Sequence, residues 1–251
     1  MKYRIFSDVH LDFDYGRTRL AGTPEVWEPK PLSSDSATTL IIAGDIWHAD
    51  KSHFTAEWLN KLSTRFKNIV VVLGNHDYWG SAYWQREPYL LQSQVASNVH
   101  VLEKQFVDIE GVRIGGCTLW TDIDKENPLK IINSRQYTND FRYIQGMRTK
   151  HWITEYKECL NWINTYPVDI LITHYVPSTK FCHPRYKGGA ASCMFNSNTT
   201  EEVVKLPEVW LFGHTHDSYT EEYLGTKFIC NPRGYRDENK QGFDEVSLYE
   251  I

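Results

Sequence analysis

No stretch of this sequence approaches the roughly 18–20 consecutive apolar residues that a membrane-spanning helix needs. The chain opens on "MKYRIFSDVH", with no basic-then-apolar leader. A soluble cytoplasmic protein with no membrane partner is therefore expected. No C-x-x-C pair is present, and the five cysteines (Cys117, Cys159, Cys182, Cys193, Cys230) are odd in number. Reduced, buried thiols are expected, with a Cys182–Cys193 bridge or metal clip as the alternative. Positive charge is scarce: 27 Lys and Arg against 32 Asp and Glu leave a net charge of −5. That weighs against a protein built to grip duplex nucleic acid, although a nuclease with a local basic patch stays open. No low-complexity tract, linker or internal repeat interrupts the 251 residues, so one domain over residues 1–251 is expected. A chain of this length removes roughly 70–75% of its unfolded surface from water and needs no staple.

What is present is a repeated design. "YRIF" is followed by "SDVH", "TLIIA" by "GDIW", "IVVVL" by "GNHD", "VDILI" by "THYV" and "VWLF" by "GHTH". The apolar runs are short, rich in Ile, Val and Leu, and do not alternate cleanly, as in strands covered on both faces. Segments with helical spacing lie between them, at about 53–66, 82–96 and 150–165, which implies an α/β protein. Turns near Glu110-Gly111 and Leu224-Gly225 mark hairpins, so strands of both orientations in two sheets are expected. Residues 122–147 and 175–198 read as long functional loops with few core residues.

Each polar tip alone is weak. Asp8-x-His10 reads as a turn with a surface histidine, Asp45 as a helix cap, and His174 as a satisfied histidine. Together they are informative, because ligands of an open α/β sheet bind beyond the carboxyl ends of its strands. Five tips deliver Asp8, His10, Asp45, Asn75, His174, His214 and His216 to that edge. Clustered carboxylates and imidazoles are costly to bury unless a cation balances them. Oxygen and nitrogen donors without thiolate suit Mn, Fe, Zn or Ni. Seven donors are too many for one ion and suit two, spaced roughly 3.5–4 Å apart, that clamp a phosphoryl group.

The ordered blocks D-x-H, G-D, G-N-H-D, a strand-end His and G-H-x-H, from Asp8 to His216, resemble the calcineurin-like metallophosphoesterase superfamily. The resemblance implies a four-layer α/β/β/α sandwich of two mixed β-sheets flanked by helices. It implies two divalent or trivalent transition-metal ions. Asp8, His10 and His216 would hold one, Asn75, His174 and His214 the other, and Asp45 would bridge. His76 would face the substrate as a catalytic residue, and Asp77 would accept from its other ring nitrogen and fix its tautomer. The implied reaction is hydrolysis of a phosphate ester by a metal-bridging hydroxide, with no phospho-enzyme. His48, His53, His100, His151 and His183 match no ligand position of the family and are expected to be surface or core histidines.

The expected substrate is a small phosphorylated molecule, a nucleotide or metabolite carrying a phosphomonoester or phosphodiester. The alternatives are a nuclease and a non-catalytic scaffold of the same fold. "NSRQYTNDFRYI" (133–144) and "KFCHPRYKGG" (180–189) set basic residues beside aromatics, suited to a phosphate and a base or sugar face. A charged, solvated loop is the plainer account of both. Arg233 is a candidate to reach the site.

Overall fold

Short strands that are apolar on both faces need cover on both sides, and this chain supplies it by packing two sheets face to face. The computed structural model describes residues 1–18, 26–235, 238 and 242–251. Its strands, in chain order, are β1 (Lys2–Phe6), β2 (Thr39–Ala43), β3 (Asn68–Val72), β4 (Val99–Leu102), β5 (Gln105–Ile109), β6 (Val112–Cys117), β7 (Ile170–Thr173), β8 (Val209–Leu211), β9 (Tyr219–Tyr223), β10 (Thr226–Cys230) and β11 (Tyr249–Glu250). One sheet runs β11-β1-β2-β3-β4 and the other β5-β6-β7-β8-β10-β9. The central strands β1 to β4 are mutually parallel, as are β6, β7, β8 and β10. The edge strands β11, β5 and β9 pair antiparallel. Both sheets are therefore mixed, as expected.

The seam between the sheets is aliphatic. Ile5, Ile41, Ala43, Val70 and Val72 meet Ile114, Ile170, Ile172, Val209, Leu211 and Ile229 there. The intervening Leu40, Ile42, Ile69 and Val71 belong to the outer core with the helices. Helix Ser52–Ser63 turns Ala56, Trp58, Leu59 and Leu62 inward. Helix Thr149–Thr165 buries Trp152, Ile153, Tyr156, Cys159, Trp162 and Ile163, the spacing of an amphipathic helix. It lies close on β6, where a Cβ on Gly115 would meet the Trp162 ring at 2.7 Å. The result is four layers.

The helix expected over 82–96 is shorter, Glu87–Gln92 with Pro88 in its first turn. Proline starts a helix well and cannot continue one from an earlier turn. Both expected hairpin turns are present, with Glu110-Gly111 at φ 52° and 80° and Leu224-Gly225 at 53° and 79°. Two successive positive φ values match the twist of the flanking strands.

The two long loops differ from expectation. Residues 122–147 form the helical turns Pro128–Asn133 and Asp140–Tyr143 and bury Asp140, Ile144 and Met147. Hydrogen bonds fasten them to the second loop: Asp122 N donates to Ser197 Oγ (3.0 Å), and Thr121 Oγ1 to the Cys193 carbonyl (2.7 Å). All five cysteines are free and buried, which rules out the Cys182–Cys193 bridge. Among the described residues no helix is long and apolar enough to cross a membrane.

Arg4 is fully buried in β1. Its guanidinium donates to Asp35 Oδ1 (2.8 Å), the Lys30 carbonyl (3.0 Å) and the Glu245 carbonyl (2.5 Å), tying distant segments to the first strand. Removing one partner of a buried pair strands the other's charge. Asp35→Ala should therefore lower unfolding free energy by about 3–5 kcal/mol in urea titrations; a loss below about 1 kcal/mol would disprove the clamp.

Candidate metal centre

Parallel strands within each sheet end on one edge, and the face-to-face packing brings the two edges together. The tips of β1, β2 and β3 supply Asp8, His10, Asp45 and Asn75; the tips of β7 and β8 supply His174, His214 and His216. All seven converge. Their donor atoms form overlapping groups, among them Asp8, His10 and His216, and Asp45, His174 and His214. His10 Nε2 faces His216 Nε2 at 3.3 Å, while His174 Nε2 lies 3.1 Å from both Asn75 Oδ1 and His214 Nδ1. Asp45 stands between the groups, with Oδ1 3.4 Å from His174 and Oδ2 3.7 Å from His10. One carboxylate thus offers one oxygen to each group.

Such convergence requires an unusual backbone. Asp8, His10, Asp45, His214 and His216 all have positive φ, between 47° and 66°, where non-glycine residues are uncommon and lie above the ordinary basins in energy. The neighbouring chain must also approach closely. A Cβ on Gly74 would fall 2.1 Å from Asp45 Oδ1, and one on Gly44 would fall 2.4 Å from His174 Nδ1.

Asp77 does something other than expected. Its carboxylate accepts four backbone N–H groups, from Asp45 and Gly74 on Oδ2 (2.8 Å each) and from Ile46 and Trp47 on Oδ1 (2.9 and 3.0 Å). It therefore holds the Gly44–Trp47 turn, and with it Asp45, and does not accept from His76. The His76 Nδ1 atom is buried without a hydrogen-bond partner. The ring is held instead by stacking on Trp79, with centroids 3.7 Å apart at 22°. Arg233, a candidate to reach the site, is engaged beneath it. It donates to the Val9 carbonyl (2.7 Å) and to Asp14 Oδ1 (3.0 Å), bracing the backbone between Asp8 and His10.

The electrostatics fit cations. Burial pushes His10, His174 and His214 below the usual imidazole value, leaving neutral nitrogen donors. Burial and the charges of Asp8 and Asp77 push Asp45 well above the carboxylate range. Burial opposes charge on His216 too, but Asp8 and Glu238 outweigh it and raise that imidazole to about 10. Hydrogen bonds orient two rings: the Ala43 carbonyl takes His174 Nδ1–H (2.9 Å), and Glu238 faces His216 Nδ1 (2.7 Å). Each leaves Nε2 directed into the cluster, the arrangement of a metal-ligating histidine with an outer partner.

The sequence pattern of the calcineurin-like phosphoesterases matches residues 1–218. The chain belongs to the calcineurin-like phosphoesterase family. It is a phosphoric ester hydrolase whose chemistry depends on bound metal. Over 276 aligned residues it is 25% identical to the uncharacterized protein L509 of Acanthamoeba polyphaga mimivirus, covering 99% of this chain and 96% of that one. The phosphopantetheinyl hydrolase PptH of Mycobacterium tuberculosis has a similar fold (TM-score 0.64, 16% identity, 93% of this chain and 89% of that one). A putative 5′-nucleotidase of Staphylococcus aureus is also similar (TM-score 0.50, 14% identity, 94% of this chain), and this chain spans 48% of its length.

Above the donors of this phosphoesterase opens a cavity of about 750 Å³. Both long loops reach it: Tyr137, Thr138 and Asn139 from the first, His183, Arg185 and Tyr186 from the second. Several lining residues had no signature in the sequence. Tyr235 stacks on His10 (4.4 Å, 29°), and Phe195 on His214 (5.2 Å, 29°). His48, expected to be an uninvolved histidine, stands beside His76 with ring centroids 5.9 Å apart.

Two outcomes are expected. His214→Gly should be about 1 kcal/mol more stable than His214→Ala in metal-free denaturation, because glycine relieves a positive φ; equal stabilities would refute the strain. With its value raised to about 10, His216 holds a proton at neutral pH that must leave before its Nε2 can bind a cation, and the upward shift of Asp45 acts in the same direction. Mn²⁺ added to EDTA-stripped protein in weak buffer at pH 7 should therefore release protons, and Mn²⁺ affinity should fall as pH falls. Calorimetry in buffers of different ionisation enthalpy checks this, and uptake without release would contradict it.

Proposed function

We propose that this phosphoesterase hydrolyses a small phosphate monoester or diester, a nucleotide or a metabolite with an aromatic group, at two transition-metal ions. Asp8, His10 and His216 would hold one ion and Asn75, His174 and His214 the other, with Asp45 shared. Manganese, iron, zinc and nickel all suit this oxygen and nitrogen set. When bound, the pair supplies Lewis acidity toward phosphoryl oxygens and a nucleophile at neutral pH.

The observation that carries the reading is the bridging geometry of Asp45, one oxygen toward each donor group. His76 lines the cavity beside these donors. Burial and then the His48, His174 and His216 imidazoles hold it well below its usual value, so it meets the substrate as a neutral ring. A phosphate beside it favours the protonated form, which serves to pass a proton to the leaving oxygen. Asp77 fixes the Asp45 turn beneath.

The cavity supports a small substrate. Its volume lies within the roughly 300–1,000 Å³ of small-molecule sites. Trp79, Tyr137, Tyr186 and Phe195 offer ring faces, and Arg185 is the single Arg or Lys among its described lining residues. A nucleic-acid backbone, which calls for a track of several cations, is poorly served. Protein stripped with EDTA and reloaded with Mn²⁺ should hydrolyse bis(p-nitrophenyl) phosphate or p-nitrophenyl phosphate faster than it cuts single-stranded DNA; the reverse order would overturn the small-ester reading. His76→Ala should keep both ions and lose about 10²–10⁴ in kcat with poor leaving groups. An unchanged kcat would make His76 structural.

A further inference from the structure

Asp140 is a carboxylate 1% exposed whose hydrogen-bond partners are neutral. Asn75 Nδ2 donates to Oδ1 at 2.9 Å, Trp79 Nε1 to the same oxygen at 2.6 Å, and Thr138 Oγ1 to Oδ2 at 2.5 Å. None of the three is a cation. A buried carboxylate in such company is costly, so its partners are informative about what it does. The segment that carries it is fastened to the turn carrying His76 and Trp79. Gly80 N donates to the Tyr143 carbonyl (2.9 Å) and Gln145 N to the Ser81 carbonyl (3.2 Å).

The two ends of an amide side chain have nearly the same shape, so packing alone does not decide which end of Asn75 faces the donor cluster. An ionised carboxylate only accepts. It takes the NH₂ end of Asn75 and leaves Oδ1 facing His174 Nε2 at 3.1 Å. The same carboxylate oxygen takes the indole N–H of Trp79, the ring on which His76 stacks. Because His76 Nδ1 has no hydrogen-bond partner, ring contacts place the His76 ring, and the stack on Trp79 is the tightest of them, at 3.7 Å against 4.8 Å to His10.

We propose that Asp140 is a positioning residue for the phosphoesterase site: it aims the Asn75 oxygen at the cation and, through Trp79, sets the plane of His76. The first half rests on Asn75 being a metal ligand. The test is Mn²⁺ calorimetry on EDTA-stripped protein, with circular dichroism as the check of folding. Asp140→Ala should weaken one of the two ions by about 10–100-fold, and Asp140→Asn, which keeps an acceptor oxygen, should recover most of that loss. In the background of Asn75→Ala, Asp140→Ala should add nothing, since it acts through the missing amide. If Asn75→Ala weakens an ion and Asp140→Ala does not, or if the two losses add, the positioning role is overturned. If Asn75→Ala leaves both affinities intact, the ligand assignment of Asn75 falls and this proposal falls with it. Should Asp140→Ala fail to fold, Trp79→Phe decides the second half. It keeps a ring for stacking and removes the N–H, so kcat should fall about tenfold at unchanged Mn²⁺ affinity; an unchanged kcat overturns that half.

Discussion

Two carboxylates and four imidazoles must sit within a few ångströms of one another, out of water, before any cation arrives. The rest of the molecule answers to that constraint. Such groups repel when charged and are poorly solvated when buried, so no local sequence preference would assemble them. The assembly is imposed by two stiff sheets whose apolar seam fixes where each strand ends. Five donor residues at positive φ show where the backbone yields to that placement. Strain of this kind, of order 1–3 kcal/mol per residue, persists only where surrounding structure over-determines it. Here the aliphatic seam and the Arg4 clamp provide the surplus.

Much of the order comes from groups that touch no substrate. Asp77 gathers four amide N–H groups, and Asp8 accepts from His214 N at 2.9 Å, so one donor of the first sheet anchors the loop carrying two donors of the second. Arg233 braces Val9 between Asp8 and His10. Burial pushes Asp77 up to about 6, even against those four N–H bonds. Its carboxylate therefore holds the Asp45 turn most firmly on the alkaline side of that value. The placement of Asp45 between the two donor groups depends on these supports, because a carboxylate can face both only if the backbone beneath it is fixed relative to both sheets.

The strand tips were legible because an apolar run ending in Gly-Asp or Gly-Asn-His-Asp breaks the pattern of its own segment. The division of each strand between seam and outer layer was not legible. Ile41 and Ile42 are both buried aliphatics, and periodicity cannot separate two apolar environments. Asp77 was misread because adjacency to His76 suggested a pair, whereas its side chain turns back to amides some thirty residues earlier in the chain. Arg233 was only a candidate to reach the site from the last core strand, and Asp14 takes its guanidinium. Asp140 opens a single helical turn and Tyr235 lies in an irregular segment, both too short for a period to mark an inward-facing side chain.

The division of donors between sheets bears on chemistry as well as on folding. One group draws on β1 and the loop after β8; the other draws on the loops after β3, β7 and β8; Asp45 after β2 serves both. Because His214 and His216 are two residues apart and belong to different groups, the G-H-T-H turn couples them directly. A shift of one sheet against the other would open both donor groups together, so the geometries of the two groups are tied through the fold itself. The loops over the cavity add the remaining restraint. With Asp122 bonded to Ser197 and Thr121 to Cys193, the cavity roof is built from two segments that hold each other. Its shape, like that of the donor cluster below, is set by contacts between parts of the chain far apart in sequence.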